Sequence, residues 1–179
     1  MKILGFIFGT DPDVGEHVKA LSLKFRKRVW VLRHLKKSGI PTTDLVKLYQ
    51  SLVAPVLDYT SVVYHSMLNK SQVLMLENLQ KLALKIIYGV YEADYQMLLN
   101  KSGIKSLEER RLGFIDGFIN KALAHPVYCN WFPTREFEHY DMRREVIYEE
   151  KFARTKRLYN SPLFYFRRRL NHTSRTVYN

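Results

Sequence analysis

The sequence predicts a mainly helical protein, a helical bundle with one short N-terminal β-strand and a basic helical C-terminal arm. Apolar residues recur at spacings of three and four along most of the chain, which is typical of amphipathic helices. Capping residues mark where individual helices begin and end. Only residues 2–8 have the pattern of a strand. With 179 residues, of which 46% are hydrophobic, the chain is long enough to bury a core.

The chain opens with KILGFIFG, which predicts a strand over residues 2–8. No partner strand is predicted, so we expect an unpaired edge. The first helix is predicted to run from Val14 to Ser38. Gly39 then supplies the left-handed residue that commonly ends a helix, with apolar Ile40 and then Pro41 after it. The apolar face of this helix consists of Val18, Leu21, Phe25, Val29 and Leu32.

The second helix begins after Thr42 and contains Pro55. A proline in a helix interior costs about 3 kcal/mol and bends the helix, because it lacks an N–H and clashes with the preceding turn. We therefore expect one amphipathic helix with a kink at Pro55. Its predicted apolar face consists of Leu45, Leu48, Leu52, Val56, Tyr59 and Val63.

Two capping boxes mark later helices. Asn69 with Gln72 opens a helix that runs to Gly89, and Ser106 with Glu109 opens a helix that runs to Pro126. A short helix over residues 92–101 is predicted between them. The apolar residues of the two long helices are predicted to be Leu76, Leu79, Ala83 and Ile86 in the first, and Phe114, Phe118 and Ala122 in the second.

The last part of the chain begins with an aperiodic aromatic segment, residues 126–140, which we interpret as an ordered loop or linker. A polar helix is predicted through MRREVIYEEKFARTKR, residues 142–157. A final helix opens at Ser161 with Pro162 at its first position. The predicted organisation is a strand and turn over 1–13, a bundle over 14–125, the loop over 126–140 and a basic helical tail over 141–179.

The charge is concentrated at the two ends of the chain. Its formal net charge is +12. Residues 1–40 contain nine Lys and Arg and three acidic residues, residues 41–140 contain ten of each, and residues 141–179 contain ten Lys and Arg and four acidic residues. A basic excess of this kind favours a polyanionic partner. The alternative is a surface excess that only aids solubility.

Several classes of protein are disfavoured by composition. Cys129 is the only cysteine, which excludes an internal disulfide and a zinc site made of several thiolates. No apolar run reaches the length of a membrane span. The six histidines have no metal-ligand spacing, and the chain has no glycine-rich phosphate loop and no GxSxG motif. We therefore predict an intracellular protein, cytoplasmic or nuclear, with no membrane partner, no cofactor and no catalytic residues.

The strongest candidate for a binding site is LKFRKRVWVLRHLKK, residues 23–37. Seven of its fifteen residues are Lys or Arg and none is acidic. Arg26, Trp30, Arg33 and Lys37 fall on one stripe beside the apolar face. Cations along a helix can meet successive phosphates, and an indole can cover a sugar or base. The candidate nucleic-acid-binding residues here are Lys24, Arg26, Lys27, Trp30, Arg33 and Lys37. The alternative is a solvated face with Trp30 at the edge of the core.

A second basic patch lies in the last helix. Arg167, Arg168 and Arg169 are further candidates for nucleic-acid binding. Three consecutive residues cannot share one helix face, so at most two of them are expected to contact one backbone. Leu163, Phe166 and Leu170 are predicted to face inward.

The order and spacing of several stretches resemble the region after the polymerase palm in reverse transcriptases of non-LTR (LINE-type, jockey-like) retrotransposons. These stretches are LGFIF, KFRKRVWVLRHLKKSGI, DLVKLYQSLVAPVLDYTSVVYHS, LENLQKLALKII, IKSLEERR, NWFP and ARTKRLYNSPLFYFRRRLN. The resemblance covers residues 2–171. It implies that the first strand corresponds to the edge of the palm. The helices of residues 14–125 would then correspond to the thumb, which closes on the template–primer duplex.

This sequence departs from the family at the polymerase signature. The family has an aromatic residue followed by Ala-Asp-Asp, whereas this chain contains no Asp-Asp pair. The resemblance implies Mg²⁺ at aspartates that are absent here, so the chain is predicted to be a catalytically incomplete fragment of an RNA-directed DNA polymerase. It implies RNA or an RNA–DNA duplex as the partner, and the palm and fingers portion of a reverse transcriptase as a further candidate partner.

Two other functions stay open at this point. One is a host helical protein that binds RNA or DNA and has no relation to polymerases. The other is a protein-interaction bundle with no nucleic-acid role. Salt dependence distinguishes nucleic-acid binding from protein binding, because phosphate contacts release counterions.

Overall fold

The structure is a computed structural model that describes residues 2–3, 5–7, 14–134 and 147–176. The described chain is mainly helical, as the sequence predicts, with a small two-stranded sheet at the N-terminus. Its packing divides it into two units: residues 1–61 with 68–112, and residues 62–67 with 113–179. The boundary at 112/113 lies inside the segment predicted as one bundle.

The described residues form the following strands, helices and turns. The strands are β1 (Lys2–Ile3) and β2 (Phe6–Ile7). The helices are α1 (Gly15–Lys37), α2 (Thr42–Leu48), α3 (Pro55–Asp58), α4 (Ser61–Tyr64), α5 (Lys70–Tyr88), α6 (Tyr95–Ser102), α7 (Leu107–Ala124), α8 (Lys156–Tyr159) and α9 (Pro162–Thr176). A π turn covers Tyr49–Val53, and 3₁₀ turns cover His65–Met67 and Tyr128–Trp131.

The prediction of one unpaired strand over residues 2–8 is wrong. β1 pairs with β2 in antiparallel register, Lys2 opposite Ile7 and Ile3 opposite Phe6. The reversal depends on Gly5, whose φ of +83° is accessible to glycine at little cost. The segment predicted as one strand therefore forms a hairpin of two short strands, β1 and β2, that pair with each other.

α1 confirms its predicted length, face and end. Val18, Leu21, Phe25, Val29 and Leu32 are all buried. Gly39 has φ +82°. Its N–H donates to the Lys36 carbonyl at 3.2 Å, and the Ile40 N–H donates to the Leu35 carbonyl at 3.3 Å. These two bonds are the Schellman pattern, which satisfies the last helical carbonyls.

The predicted kinked helix around Pro55 is instead two helices joined by a π turn. The Ala54 N–H donates to the Tyr49 carbonyl, five residues back, at 2.8 Å. α3 then ends at Asp58, because Tyr59 is extended with ψ 132° and Thr60 has φ +60°.

The π turn also changes which side chains are buried. Leu52 and Tyr59, which are predicted to lie on the apolar face, are 54% and 56% exposed. The buried stripe is Leu45, Tyr49, Val53 and Leu57, in steps of four. On a regular helix three such steps drift by about 120°. The π turn absorbs one extra residue and so keeps the stripe on one side.

The predicted capping boxes are confirmed. The Asn69 side chain accepts from the Gln72 N–H at 2.9 Å, and the Gln72 side chain accepts from the Asn69 N–H at 2.9 Å. Ser106 and Glu109 make the same reciprocal pair at 3.2 and 3.1 Å. In α7, however, Phe114 is 47% exposed, and the buried residues are Leu107, Arg111, Ile115, Ile119 and Ala122.

The second unit has its own small core, which contains Ile115, Ile119, Ala122, Phe132 and Phe166. Leu163 and Leu170 pack against it, so the inward face predicted for α9 is confirmed.

The polar helix predicted over residues 142–157 is wrong for residues 147–155, which are not helical. Its last two residues, Lys156 and Arg157, belong to α8. Tyr148 pairs with Thr134 as an isolated bridge and packs against the core. Its N–H and carbonyl both bind the Asn171 side chain, at 2.9 and 3.0 Å. These contacts stabilise an extended segment, because they satisfy the backbone groups that a helix would pair internally. Residues 142–146 lie outside the described chain.

Among the described residues, no helix is long and apolar enough to cross a membrane. The same residues contain no group of three or more His, Cys, Asp or Glu side chains arranged to hold a metal ion.

Candidate nucleic-acid interface

The predicted basic residues of α1 lie on its solvent side. We call Arg26, Trp30, Arg33 and Lys37 the α1 stripe. All four side chains are exposed, and Lys27 is exposed next to them. The steps of four, three and four residues place the stripe on one side of the helix over three turns. The structure therefore brings these residues together as predicted.

Trp30 is not a core-edge residue. Its side chain is 59% exposed, whereas Val29 beside it is 4% exposed. The indole packs against the His34 ring, with 3.8 Å between ring centroids, and His34 Nδ1 donates to the Trp30 carbonyl at 3.1 Å. This local contact supports the ring on the helix surface and leaves much of it open. An aromatic ring in this position can stack on a nucleic-acid base.

Lys24 lies on the other flank of α1. It is two positions from Arg26, which corresponds to about 200° around a helix. The pKa of His17 is lowered, first by burial and then by the charge of Lys24, so Lys24 lies near His17 on this flank. Arg28 lies on this flank too, and its guanidinium donates to the Leu52 carbonyl. The structure therefore separates Lys24 from the stripe.

An apolar groove adjoins the α1 stripe. It has a volume of about 460 Å³ and runs between α1 and α5, with Arg26 at its rim. Leu74, Asn78 and Leu82, in steps of four along α5, line it, and Leu74 is 62% exposed. Sequence reasoning did not find this groove. The signal in the sequence was the pair Leu74 and Leu82, which lie eight residues apart on α5 and outside its predicted apolar face.

This side of the first unit is poor in negative charge. Glu16 and Glu77 are the only acidic residues in the sequences of α1 and α5. The Glu77 carboxylate is 16% exposed and accepts from the Leu107 and Glu108 N–H groups at 3.2 and 2.8 Å. The negative charge of Glu77 therefore interacts with the N-terminal N–H groups of α7, where a carboxylate is also stabilised by the helix dipole.

Glu77 belongs to a buried polar network that sequence reasoning missed. Tyr95 donates to Glu77 at 2.5 Å, Gln80 donates to Tyr95 at 3.0 Å, and Tyr49 donates to Gln80 at 2.9 Å. Arg111, whose side chain is fully buried, lies 3.8 Å from Glu77. Burial raises the pKa of both tyrosines, so they remain neutral donors. The network joins the π turn, α5, α6 and α7.

Three arginines of α9, Arg167, Arg168 and Arg169, are each hydrogen-bonded to groups of their own unit. Arg167 is 7% exposed and donates twice to the Trp131 carbonyl, at 3.0 and 2.8 Å. Arg169 makes a two-point ion pair with Asp116, at 2.5 and 2.8 Å, and this hydrogen bonding raises its pKa. Arg168 donates to the Tyr159 carbonyl at 2.7 Å. The three side chains do not form one open basic surface, so the α1 stripe is the stronger candidate.

No protein-family model, no curated protein and no solved structure matches this chain.

Proposed function

We propose that this protein is a thumb-like nucleic-acid-binding module that binds the backbone of RNA or of an RNA–DNA duplex through the α1 stripe. In this proposal the chain is related to the non-LTR retrotransposon reverse transcriptases that it resembles. It positions a duplex and does not polymerise, since the sequence has no Asp-Asp pair to hold the metal ions of nucleotidyl transfer. The corresponding cellular location is the nucleus or cytoplasm.

The observation that carries this proposal is the exposed stripe of three cations around an open indole. The stripe faces solvent, and it lies on a helix with one acidic residue, Glu16, at its far end. Cations in such a row attract a regular array of phosphates, and the flat ring adds stacking that is tolerant of sequence.

The experiment compares two variants with the same charge loss. One replaces Arg26, Arg33 and Lys37 together by Gln. The control replaces Lys24, Lys47 and Lys105 by Gln; all three are exposed and none belongs to the stripe. Affinity for an RNA–DNA hybrid is measured by fluorescence anisotropy over a range of salt concentrations. The stripe variant should bind more weakly, and its log-log salt slope should fall by about 0.7–0.9 for each phosphate that it no longer neutralises.

The control variant should keep most of its affinity for the hybrid and most of its salt slope. Equal losses in the two variants would show that only net charge matters, and this would refute the stripe as the site. A preference for the hybrid over B-form DNA of the same sequence is expected, because a thumb-like surface reads A-form geometry.

The apolar groove favours a second candidate function, a protein-interaction bundle. Leu74 and Leu82 expose apolar surface between α1 and α5. Such a surface suits the apolar face of an amphipathic helix. Binding through it would depend weakly on salt and would be abolished by Leu74→Glu, whereas hybrid binding should survive that change.

A further inference from the structure

A polar cleft lies in the second unit, outside the α1 stripe. It is an open cleft with a volume of about 590 Å³, and it is lined by α9, by the end of α8 and by the 3₁₀ turn His65–Met67. This size is within the range of about 300–1,000 Å³ that is common for small-molecule sites. No carboxylate is among the described residues that line it.

One side of α9 supplies most of the polar groups. Tyr165, Arg168, Arg169 and His172 follow one another at spacings of three, one and three residues. These spacings place them on neighbouring turns of the same helix side. Asn160, at the end of α8, also lines the cleft.

Arg168 is held in position but keeps part of its donor capacity. Its Nη1 donates to the Tyr159 carbonyl at 2.7 Å, and its guanidinium carbon lies 3.6 Å from the centroid of the Tyr159 ring. Its Nε and Nη2 donate to no group among the described residues. The fork is therefore oriented in advance, and less side-chain entropy is lost when a ligand binds.

Arg169 supplies donors but little net charge. Its Nε and Nη2 bind Asp116, so a carboxylate offsets its charge. Arg168 has no carboxylate partner among the described residues, and its side chain is half-buried. An uncompensated guanidinium in a partly desolvated cleft attracts an anion more strongly than an exposed one does.

We propose that this cleft binds a phosphate group carried by a nucleotide or by the end of a nucleic-acid strand. Arginine is suited to this group, because its planar fork matches phosphate oxygens in two-point hydrogen bonds. The Asn160 amide and the His172 ring lie in the same cleft and provide further donors. The proposal is independent of the α1 stripe, which belongs to the other unit.

The test is isothermal titration calorimetry of the full chain with adenosine 5′-monophosphate, and with adenosine as the uncharged reference. The monophosphate should bind and adenosine should not. Arg168→Gln should weaken binding of the monophosphate by about tenfold or more, because it removes a charged donor.

A second variant keeps the test valid if Arg168→Gln does not fold. His172 is exposed at the cleft, and His172→Glu places a carboxylate there. This variant should also lose binding, through repulsion of the phosphate. The matched control is Asn120→Glu, which adds the same charge at an exposed position of α7 in the same unit.

The proposal is overturned if the monophosphate does not bind, or if it binds the wild type and His172→Glu equally. The source of the phosphate is identified by measuring the binding of oligonucleotides with a 5′-phosphate or a 5′-hydroxyl. These measurements use the variant in which Arg26, Arg33 and Lys37 are replaced by Gln, so that the α1 stripe does not contribute. Tighter binding of the phosphorylated strand than of the monophosphate supports a strand end, and the reverse order supports a free nucleotide.

Discussion

Replacing Glu77 should destabilise the first unit strongly for a small change in side-chain shape. The Glu77 carboxylate accepts from two N–H groups at the start of α7 and from Tyr95, and it lies beside the buried Arg111. Glu77→Gln keeps the size of the side chain but removes the charge. It also turns an NH₂ group toward donors that need an acceptor.

The expected loss can be worked from these interactions. Removing one partner of a buried ion pair typically costs about 3–5 kcal/mol. The lower end of this range applies here for three reasons. The Glu77 side chain is 16% exposed, its carboxylate lies 3.8 Å from the Arg111 guanidinium, and the amide oxygen of the new glutamine can still accept one hydrogen bond. We therefore expect a loss of about 3 kcal/mol, which is a large part of the roughly 5–15 kcal/mol of a typical domain.

Urea unfolding followed by circular dichroism measures this loss. The control is Glu92→Gln, an exposed residue with the same change of charge, for which the free energy of unfolding should change by less than about 0.5 kcal/mol. If Glu77→Gln lost less than about 1 kcal/mol, the network would not hold α5, α6 and α7 together, and the reasoning would be refuted.

Single positions provide three further predictions. Trp30→Ala should weaken hybrid binding by about 1–3 kcal/mol, with a change of less than about 1 kcal/mol in stability because the ring is exposed; a larger loss in urea unfolding would contradict its surface position. Burial, and then the charge of Lys24, lower the pKa of His17, so the unfolded chain binds the proton more readily than the folded chain, and the free energy of unfolding should fall as pH drops below the usual 6.5. His17→Gln should reduce this pH dependence, and an unchanged pH profile of stability would contradict the argument. Gly39→Ala should lower the free energy of unfolding by about 1–2 kcal/mol, because residue 39 has φ +82°. Gly113→Ala, inside α7 with open space around it, should raise the free energy of unfolding by about 0.5–1 kcal/mol. Thermal melts in which both variants shift the melting temperature in the same direction would refute the argument.

The features predicted well from the sequence are those with a local cause. A capping box needs only residues three apart, as for Asn69 with Gln72, and a Schellman end needs only Gly39 and its neighbours. The α1 stripe was also predictable, because burial on one side of a helix and exposure on the other follow directly from spacing.

The sequence did not show the extra residue of the π turn or the pairings between distant residues. Leu52, inside the π turn, is exposed although the sequence predicts it on the apolar face, and periodicity alone does not show where a helix absorbs an extra residue. Asp116, the partner of Arg169, is 53 residues away in the sequence. Pairings at such separations depend on tertiary packing, so the sequence did not show that Arg167 and Arg169 are hydrogen-bonded within their own unit.

The π turn at Tyr49–Val53 also predicts which changes of length the chain accepts at this point. Deleting one residue there would restore regular hydrogen bonding and leave Leu57 on the buried side, because the π turn already takes up the rotation of about 100° that one residue adds to a regular helix. A deletion inside a regular helix has no such compensation, and it would rotate the side chains after it by about 100°. Variants that lose one residue of the π turn should therefore be more frequent among folded proteins selected from a library than variants that lose one residue in the middle of α5. Length changes in the exposed turn at Val90–Glu92 should be tolerated, since no buried stripe has to stay in register across it.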